Sequence, residues 1–451
     1  MNDRTLNMTA GSPMRLILSF AMPLMLGNVF QQLYTVVDTA VVGKVLGVWG
    51  LAALGAADWL NWLMLSIVQG LTQGFGILMA QAFGARQEAH FRAAAGASGI
   101  LAVLSAAVLL VAGQLSAVPL LKLLRTPEDI LPGSLLYLRL MFAGVPVVMA
   151  YNLFAVILRS LGDGKTPLYA MTVASFVNIG LDLLFVPVLK WGIAGAAAAT
   201  LTAQLCAAAY CFLRLKRMPL LKLSRKDLHQ GRGFLGKLLV LGSPMALQNV
   251  MISVGGMIIQ SVVNGFGVIF IAGITATNKL YGILEIAALS YGYAMITYIG
   301  QNLGAGEYPR LRLGLRAALG VSLVTSLLIA AVMILFGKPI LGCFLSGTPE
   351  EVSAAMEVAY RYLVVMSLSL PVLYVLHVYR SGIQGLGNTV LPMASGVAEF
   401  VMRAAGALTL PLFFGPGSIY YAEVLAWLGA DLVLLPSWYY LIKRFKNGEN
   451  L

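Results

Sequence analysis

Two acids stand where an acid is costly. Asp38 is flanked by Val36, Val37, Val41 and Val42, with no Lys or Arg between Arg15 and Lys44. On a helix, Asn28, Gln31, Gln32, Thr35, Asp38 and Thr39 fall within an arc of about 120°. A helix apolar on most of its circumference, with one polar stripe ending in a carboxylate, suits a membrane span that faces a wet cavity. The alternative for Asp38 is a carboxyl near a helix end that reaches the headgroups. The second acid is Asp182. Ser175, Asn178 and Asp182 are spaced i, i+3, i+7 and share one helix face. At about 1.5 Å per residue from Pro167, Asp182 lies roughly 22 Å into an apolar core about 30 Å thick. Thr200, entering from the opposite side, is about 12 Å deep. Two carboxylates in a low-dielectric wall raise each other's affinity for a proton. Either a proton is exchanged there, or both acids stay ionised and Asn178 and Thr200 help complete an oxygen shell for Na⁺. The proton is the preferred reading. Its arrival or loss would bias a bend at Pro23, where the helix ladder lacks a donor.

The elements that must hold these residues follow from composition. The 451-residue chain is 59% apolar and only 11% charged. A soluble protein of this length needs more charge to cover its surface. Apolar runs of eighteen or more residues recur from end to end, continuous rather than alternating, so helical spans are expected and a β-barrel is not. Met1–Ser12 is polar and no cleavable signal peptide is apparent. Twelve spans are expected: 15–40, 50–77, 92–115, 132–158, 167–187, 192–213, 237–263, 270–300, 312–336, 355–380, 390–411 and 418–442. Of the 30 Lys and Arg, 21 then fall on one set of loops, Arg4 and Arg380 among them. Five (Lys44, Lys122, Arg125, Lys190, Lys338) fall on the other set, and four (Arg139, Lys279, Arg361, Arg403) within spans. The positive-inside rule places both termini in the cytoplasm of a plasma-membrane protein. It also explains the net charge of +12 without nucleic acid. Cys206, Cys211 and Cys343 form no metal or redox spacing; the first two lie in one expected span and read as buried apolar residues.

The basic run Arg214–Lys237 divides the chain into similar halves. Pro23 and Asn28 match Pro244 and Asn249 at an offset of 221. Gln81, Gly84, Ala85 and Arg92 match Gln301, Gly304, Ala305 and Arg312 at 220. Leu161, Gly162 and Pro167 match Leu386, Gly387 and Pro392 at 225, with Asp163 opposite Asn388. The expected organisation is an N-terminal six-helix bundle (1–213), a cytoplasmic basic linker (214–236) and a C-terminal six-helix bundle (237–451). An even number of spans per half inserts both the same way round. The fold class is therefore an all-α membrane protein, with twelve transmembrane helices in two pseudo-two-fold-related six-helix bundles around a central cleft. The matched loops read as tight turns, since they lack the strand-then-helix context of a phosphate loop.

PLMLGNVFQQLYTVVDTAVVGKVLG in the first span resembles the signature of the MATE (multidrug and toxic compound extrusion) transporters. AQAFGAR with GQNLGAG, and RSLGDGKTP with QGLGNTVLP, resemble that family's paired loops. The resemblance covers essentially the whole chain. It implies export of organic cations or amphipathic drugs by alternating access, coupled to inward H⁺ or Na⁺, with no other cofactor. It also implies a cation site at acids of the first and fifth spans, which Asp38, Asn178, Asp182 and Thr200 match. Asn152 matches less well, because its predicted depth is on the inner side. Gln31, Tyr34, Thr35, Asn152, Met257, Lys279 and Glu285 are the candidate lining of the substrate cleft. The expected partners are small organic substrates and the lipid bilayer, with the chain a monomer.

The second half does not repeat the acids: Ile259 stands opposite Asp38, and Arg403 and Ala407 opposite Asn178 and Asp182. Its seventh span carries Gln248 and Gln260 but no acid. Glu399 and Arg403 are i, i+4 with the acid first, the order of a self-neutralising pair, and Glu357 and Arg361 repeat that spacing. Lys279 and Glu285 are about 120° apart on a helix and do not pair with each other. Asp431 is a further isolated acid, and His377 reads as a packing residue. The competing function is a flippase for lipid-linked oligosaccharides or peptidoglycan precursors, which wants a cationic cleft for pyrophosphate. Lys279 and Arg403 keep it open. No HExxH, paired-acid metal motif or Ser/His/Asp set supports an enzyme.

Overall fold

A computed structural model describes residues 5–124, 126–222, 224–345 and 348–446. Arg4 and Arg125 lie outside the described residues. Helices of 24 to 37 residues carry the apolar runs, and among the described residues eleven are long and apolar enough to cross a membrane. They are Pro13–Gly47, Trp49–Gly84, Glu88–Leu123, Lys165–Val188, Ile193–Lys216, His229–Asn264, Val268–Gly304, Tyr308–Gly342, Pro349–Gly385, Val390–Phe414 and Pro416–Arg444. The twelfth, fourth in order, is a broken span: Leu131–Ala143 and Val145–Ser160 meet at 45°. Its expected continuous helix over 132–158 is thereby corrected. Gly144 caps the first piece and Pro146 opens the second, where its missing N–H costs little. Most of these helices run beyond their expected windows, whereas the sixth starts one residue inside its own.

Contacts sort the chain into two units, 1–8 with 22–246 and 9–21 with 247–451. The boundaries therefore lie inside the first and seventh spans, beside the matched Pro23 and Pro244, and not at the basic linker. That segment is itself structured. It carries the end of the sixth span, the short helix Arg225–Gly231 and the start of the seventh span. Ser224 caps the short helix by receiving the backbone N–H of Asp227, whose carboxylate receives the Ser224 N–H and hydroxyl in return. Asp227 also pairs with Arg92 of the third span at 3.4 Å.

The two halves break their helices at matched places. Left-handed backbone occurs at Gly47 and Gly267, Arg86 and Gly306, Gly162 and Gly387, and Gly192 and Gly415, in the same order in both halves. At the third pair the turn is closed the same way. The side chain of Asp163 accepts the Thr166 N–H, and that of Asn388 accepts the Leu391 N–H. Both halves thus stop and restart their helices with equivalent chemistry.

The core of the first unit is built from Ala, Leu, Val and Met of the first six spans, with Phe75, Phe91 and Phe142 fully enclosed. The second and seventh spans cross there at backbone contact. A Cβ on Gly70 would lie 2.4 Å from the Ala246 Cα, and one on Gly74 would lie 2.4 Å from the Gly242 Cα. Small residues four apart on both helices allow this approach. Large apolar side chains such as Leu33, Val36, Val108 and Leu115 are exposed. Of the cysteines, Cys211 is buried and Cys206 partly so, whereas Cys343 is exposed.

Candidate functional site

The first span presents Tyr34 and Asp38, one turn apart, to the interior of the first unit, where they are 7% exposed each. Asp38 lies well inside a helix that continues to Gly47, and its Oδ1 is buried in the protein. The fifth span is fixed against the first by Ser175, whose hydroxyl donates to the Phe30 carbonyl at 3.0 Å. This contact carries the Ser175 face inward, and Asn178 and Asp182 follow on it, both fully buried. Just beyond Asp182 the helix widens into a π-helical turn, Leu184–Val188, around Pro187. The turn is closed by stacking of Phe185 on Trp191 and by the Trp191 N–H donating to the Phe185 carbonyl. The sixth span brings Thr200, whose hydroxyl receives the Asn178 amide at 3.5 Å, and Gln204, whose amide donates to the Tyr34 hydroxyl at 3.3 Å.

These side chains form one electrostatic cluster. Asp38 acts on Asp182, and both act on Tyr34 and on the buried Tyr137 of the fourth span. The cluster's oxygens share a property: they accept and find no donor. Asp38 Oδ1, both oxygens of Asp182, Asn178 Oδ1 and Gln204 Oε1 are buried with no hydrogen-bond partner among the described residues. Such a set suits a proton, which would turn one acceptor into a donor, or a small hard cation that takes oxygen ligands. No group of three His, Cys, Asp or Glu with metal-binding geometry occurs among the described residues.

Of the sequence-derived residues, the first unit brings together Asp38, Asp182, Asn178, Thr200 and Tyr34, with Gln31 bonded to Tyr34. Thr35 points elsewhere and is exposed, its hydroxyl donating to the Gln31 carbonyl. The polar stripe is therefore split, with Asp38 inside and Thr35 outside. Asn152 donates within its own helix, to the Val148 carbonyl. Pro23 sits in unbroken helix, and the break in the run 13–84 is at Gly47.

Three residues escaped the sequence reading. Asp58, in the second span, is exposed yet acts on Asp38 electrostatically. Its signal was available, as an isolated acid in an apolar run. Tyr137 and Gln204 carried no signal, because single Tyr and Gln residues are common in spans.

The second unit has no matching acids. Ile259 and Ala407 are buried where Asp38 and Asp182 have their counterparts. Arg403, opposite Asn178, is held by carboxylates: its Nη2 donates to Glu399 and to Glu423 at 2.8 Å each. Arg380, counted by sequence among the loop cations, is buried inside the tenth span and donates to the other oxygen of Glu399 at 2.5 Å. Glu399 thus anchors a lattice larger than the expected i, i+4 pair. Glu357 and Arg361 form their expected pair at 2.6 Å, exposed. Lys279 is exposed, while Glu285 lies 3.6 Å from His377. Met257 is half-buried.

The duplicated architecture has counterparts among known proteins. Residues 23–184 and 244–409 each match the MatE family, and the two matches begin at the paired Pro23 and Pro244. The chain belongs to the MATE family. A relative in Bacillus subtilis, "Probable multidrug resistance protein YoeA", is 29% identical over 417 residues, covering 90% of this chain and 84% of that protein. A second from the same organism, "Probable multidrug resistance protein YpnP", is 31% identical over 312 residues, covering 67% and 68%. A solved structure described as the "Outward-facing conformation of a multidrug resistance MATE family transporter of the MOP superfamily" superposes with a TM-score of 0.91 at 21% identity, over 99% of this chain and all of that one. As a MATE protein the chain is a multi-pass membrane transporter and not an enzyme.

Proposed function

We propose that this MATE protein is an antiporter that exports organic cations and amphipathic drugs by alternating access, driven by inward H⁺ at Asp38 and Asp182. The observation that carries this reading is the cluster of five donorless oxygens in the first unit. Two carboxylates buried in a membrane wall are costly without a partner. A proton on one of them supplies a hydrogen-bond donor to its neighbours and removes a charge. Na⁺ held by Asp38, Asn178, Asp182 and Thr200 is the variant of the same mechanism. Entry and loss of the ion change what the buried face of the first span must satisfy, and the first span is where the unit boundary falls. Gln31, Tyr34, Thr35, Asn152, Met257, Lys279 and Glu285 are the candidate substrate contacts. Pro23 is the candidate hinge. The protein works as a monomer in the plasma membrane with both termini in the cytoplasm, on the charge asymmetry of its loops.

The flippase reading loses support at Arg403, one of the two cations that keep it open, because Glu399 and Glu423 neutralise it; the other, Lys279, is exposed. The test is dye efflux from vesicles carrying the reconstituted protein, with a pH gradient and a Na⁺ gradient imposed in turn. The pH gradient is expected to drive efflux, and Asp38→Asn to abolish it. Full gradient-driven efflux by Asp38→Asn would overturn the proposal. A response to Na⁺ alone would move the coupling to that ion at the same residues.

A further inference from the structure

The charged lattice of the second unit contains one acid too many. Arg380 of the tenth span and Arg403 of the eleventh balance Glu399 of the eleventh and Glu423 of the twelfth. The four are joined by contacts of 2.5 to 3.0 Å. The Arg403 guanidinium is further satisfied by the Ile252 carbonyl of the seventh span. Four charges of zero sum are a stable arrangement in a membrane interior. Asp431, two turns along the twelfth span from Glu423, is the fifth group. It lies within the electrostatic reach of Arg380 and Glu399, yet forms no ion pair. Its Oδ1 is buried without a partner. The Arg380 side chain, which acts on Asp431 electrostatically, is only 7% exposed and its Nε also lacks a partner. An unmet acceptor and an unmet donor therefore stand in the same neighbourhood, on different helices.

We propose that Asp431 is a second proton-binding carboxyl, in the C-terminal unit, and that its ionised form draws Arg380 away from Glu399. With the proton on Asp431 the lattice is neutral and Arg380 rests on Glu399. When the O–H bond breaks and the proton passes to water, reached through the half-buried side of Asp431, the unit carries one uncompensated negative charge. The Arg380 guanidinium is the cation that acts on Asp431. Glu399 can release it, because its other oxygen keeps Arg403. The proton thus decides whether the tenth span is tied to the eleventh or to the twelfth. The remaining groups close by do not offer a competing partner. Tyr379 faces Asp431 from the tenth span but is engaged with the Tyr439 hydroxyl at 3.4 Å. Glu423 is engaged by Arg403, and Glu285 stands by His377. The site is independent of Asp38 and Asp182, which belong to the other unit.

The test is pH-difference infrared spectroscopy of the full chain in lipid. A protonated-carboxyl carbonyl band that titrates in the wild type is expected to be lost in Asp431→Asn. It should return at a shifted position in Asp431→Glu and persist in Asp38→Asn. The guanidinium bands should move over the same titration in the wild type and stay still in Asp431→Asn. Asp431→Asn spectra that superimpose on the wild type would overturn the proton site, and guanidinium bands that move equally in both would overturn the exchange. Should Asp431→Asn fail to fold, the band position in Asp431→Glu decides: an unshifted band overturns the assignment. Coupling through Asp38 is read by efflux, so either proposal can fail alone.

Discussion

At the scale of single residues, the same chemical type has opposite meanings depending on its partners. Glu399 is ionised and doubly held, whereas Asp182 has two oxygens without a donor. Removing a partner from the first kind is costly. Arg403→Ala is expected to lower stability by about 3–5 kcal/mol, because Glu399 and Glu423 then face the interior with one cation between them. Removing Glu357 from its exposed pair should change stability by less than about 0.5 kcal/mol. Unfolding in mixed micelles measures both. Asp182→Asn removes a charge that has no ion-pair partner, so it should leave the fold intact and suppress gradient-driven efflux; unchanged efflux would exclude Asp182 from coupling. Outside the spans, Asp227 is held below the usual carboxylate range, first by the Ser224 hydroxyl and N–H and then by Arg92. A depressed carboxyl stabilises above its ordinary value of about 3.9, and the stabilisation is lost as pH falls through the lower folded value. A spin label at Gln230 should therefore be immobile at neutral pH and gain mobility only under acid below about pH 4. In Asp227→Asn it should be mobile at both.

At the scale of elements, breaks and crossings position the site more than regular helix does. The bend at Gly144 and the π-turn after Asp182 both flank the acid cluster, and each lies next to a proline that removes a backbone donor. The crossing of the second and seventh spans is set by backbone contact at Gly70 and Gly74. Gly74→Val should destabilise by about 1–3 kcal/mol, since the new atoms meet main chain that has no rotamer to yield. Gly55→Ala, with nothing within 4 Å of the added Cβ, is the control and should be neutral or slightly stabilising. Thermal melts in detergent compare the two, and equal melting temperatures would remove the crossing from the account.

At the scale of the whole molecule, duplication supplied two scaffolds and the chemistry then diverged. The left-handed positions pair from Gly47 with Gly267 to Gly192 with Gly415, so the backbone plan is common. Yet Arg403 of one half stands at the repeat position of Asn178 in the other, and where the first half has two buried acids without hydrogen-bond donors the second has a lattice of ion pairs with one spare carboxyl. Insertion direction can be tested with the native thiols. Cys343, exposed at the end of the ninth span, should react with a membrane-impermeant maleimide from the outside of intact cells, while the buried Cys211 stays unlabelled. Labelling of Cys343 only after permeabilisation would reverse the orientation.

The sequence by itself determined the helical class, the twelve spans, the repeat and the two principal acids. These rest on properties carried by consecutive residues: apolar run length, charge on loops, and the isolation of Asp38 and Asp182 in apolar surroundings. Helical periodicity even put Ser175, Asn178 and Asp182 on the face that proved buried. What it could not decide depends on which helix lies beside which. Asp58, Tyr137 and Gln204 join the site only because the second, fourth and sixth spans converge on the first and fifth. Arg380 looked like a loop cation because charge at a helix end normally reaches water, and only the packing of the tenth span on the eleventh buries it against Glu399. Side-chain type and spacing specify what a residue can do; tertiary contact decides whether a carboxylate finds an arginine or is left to find a proton.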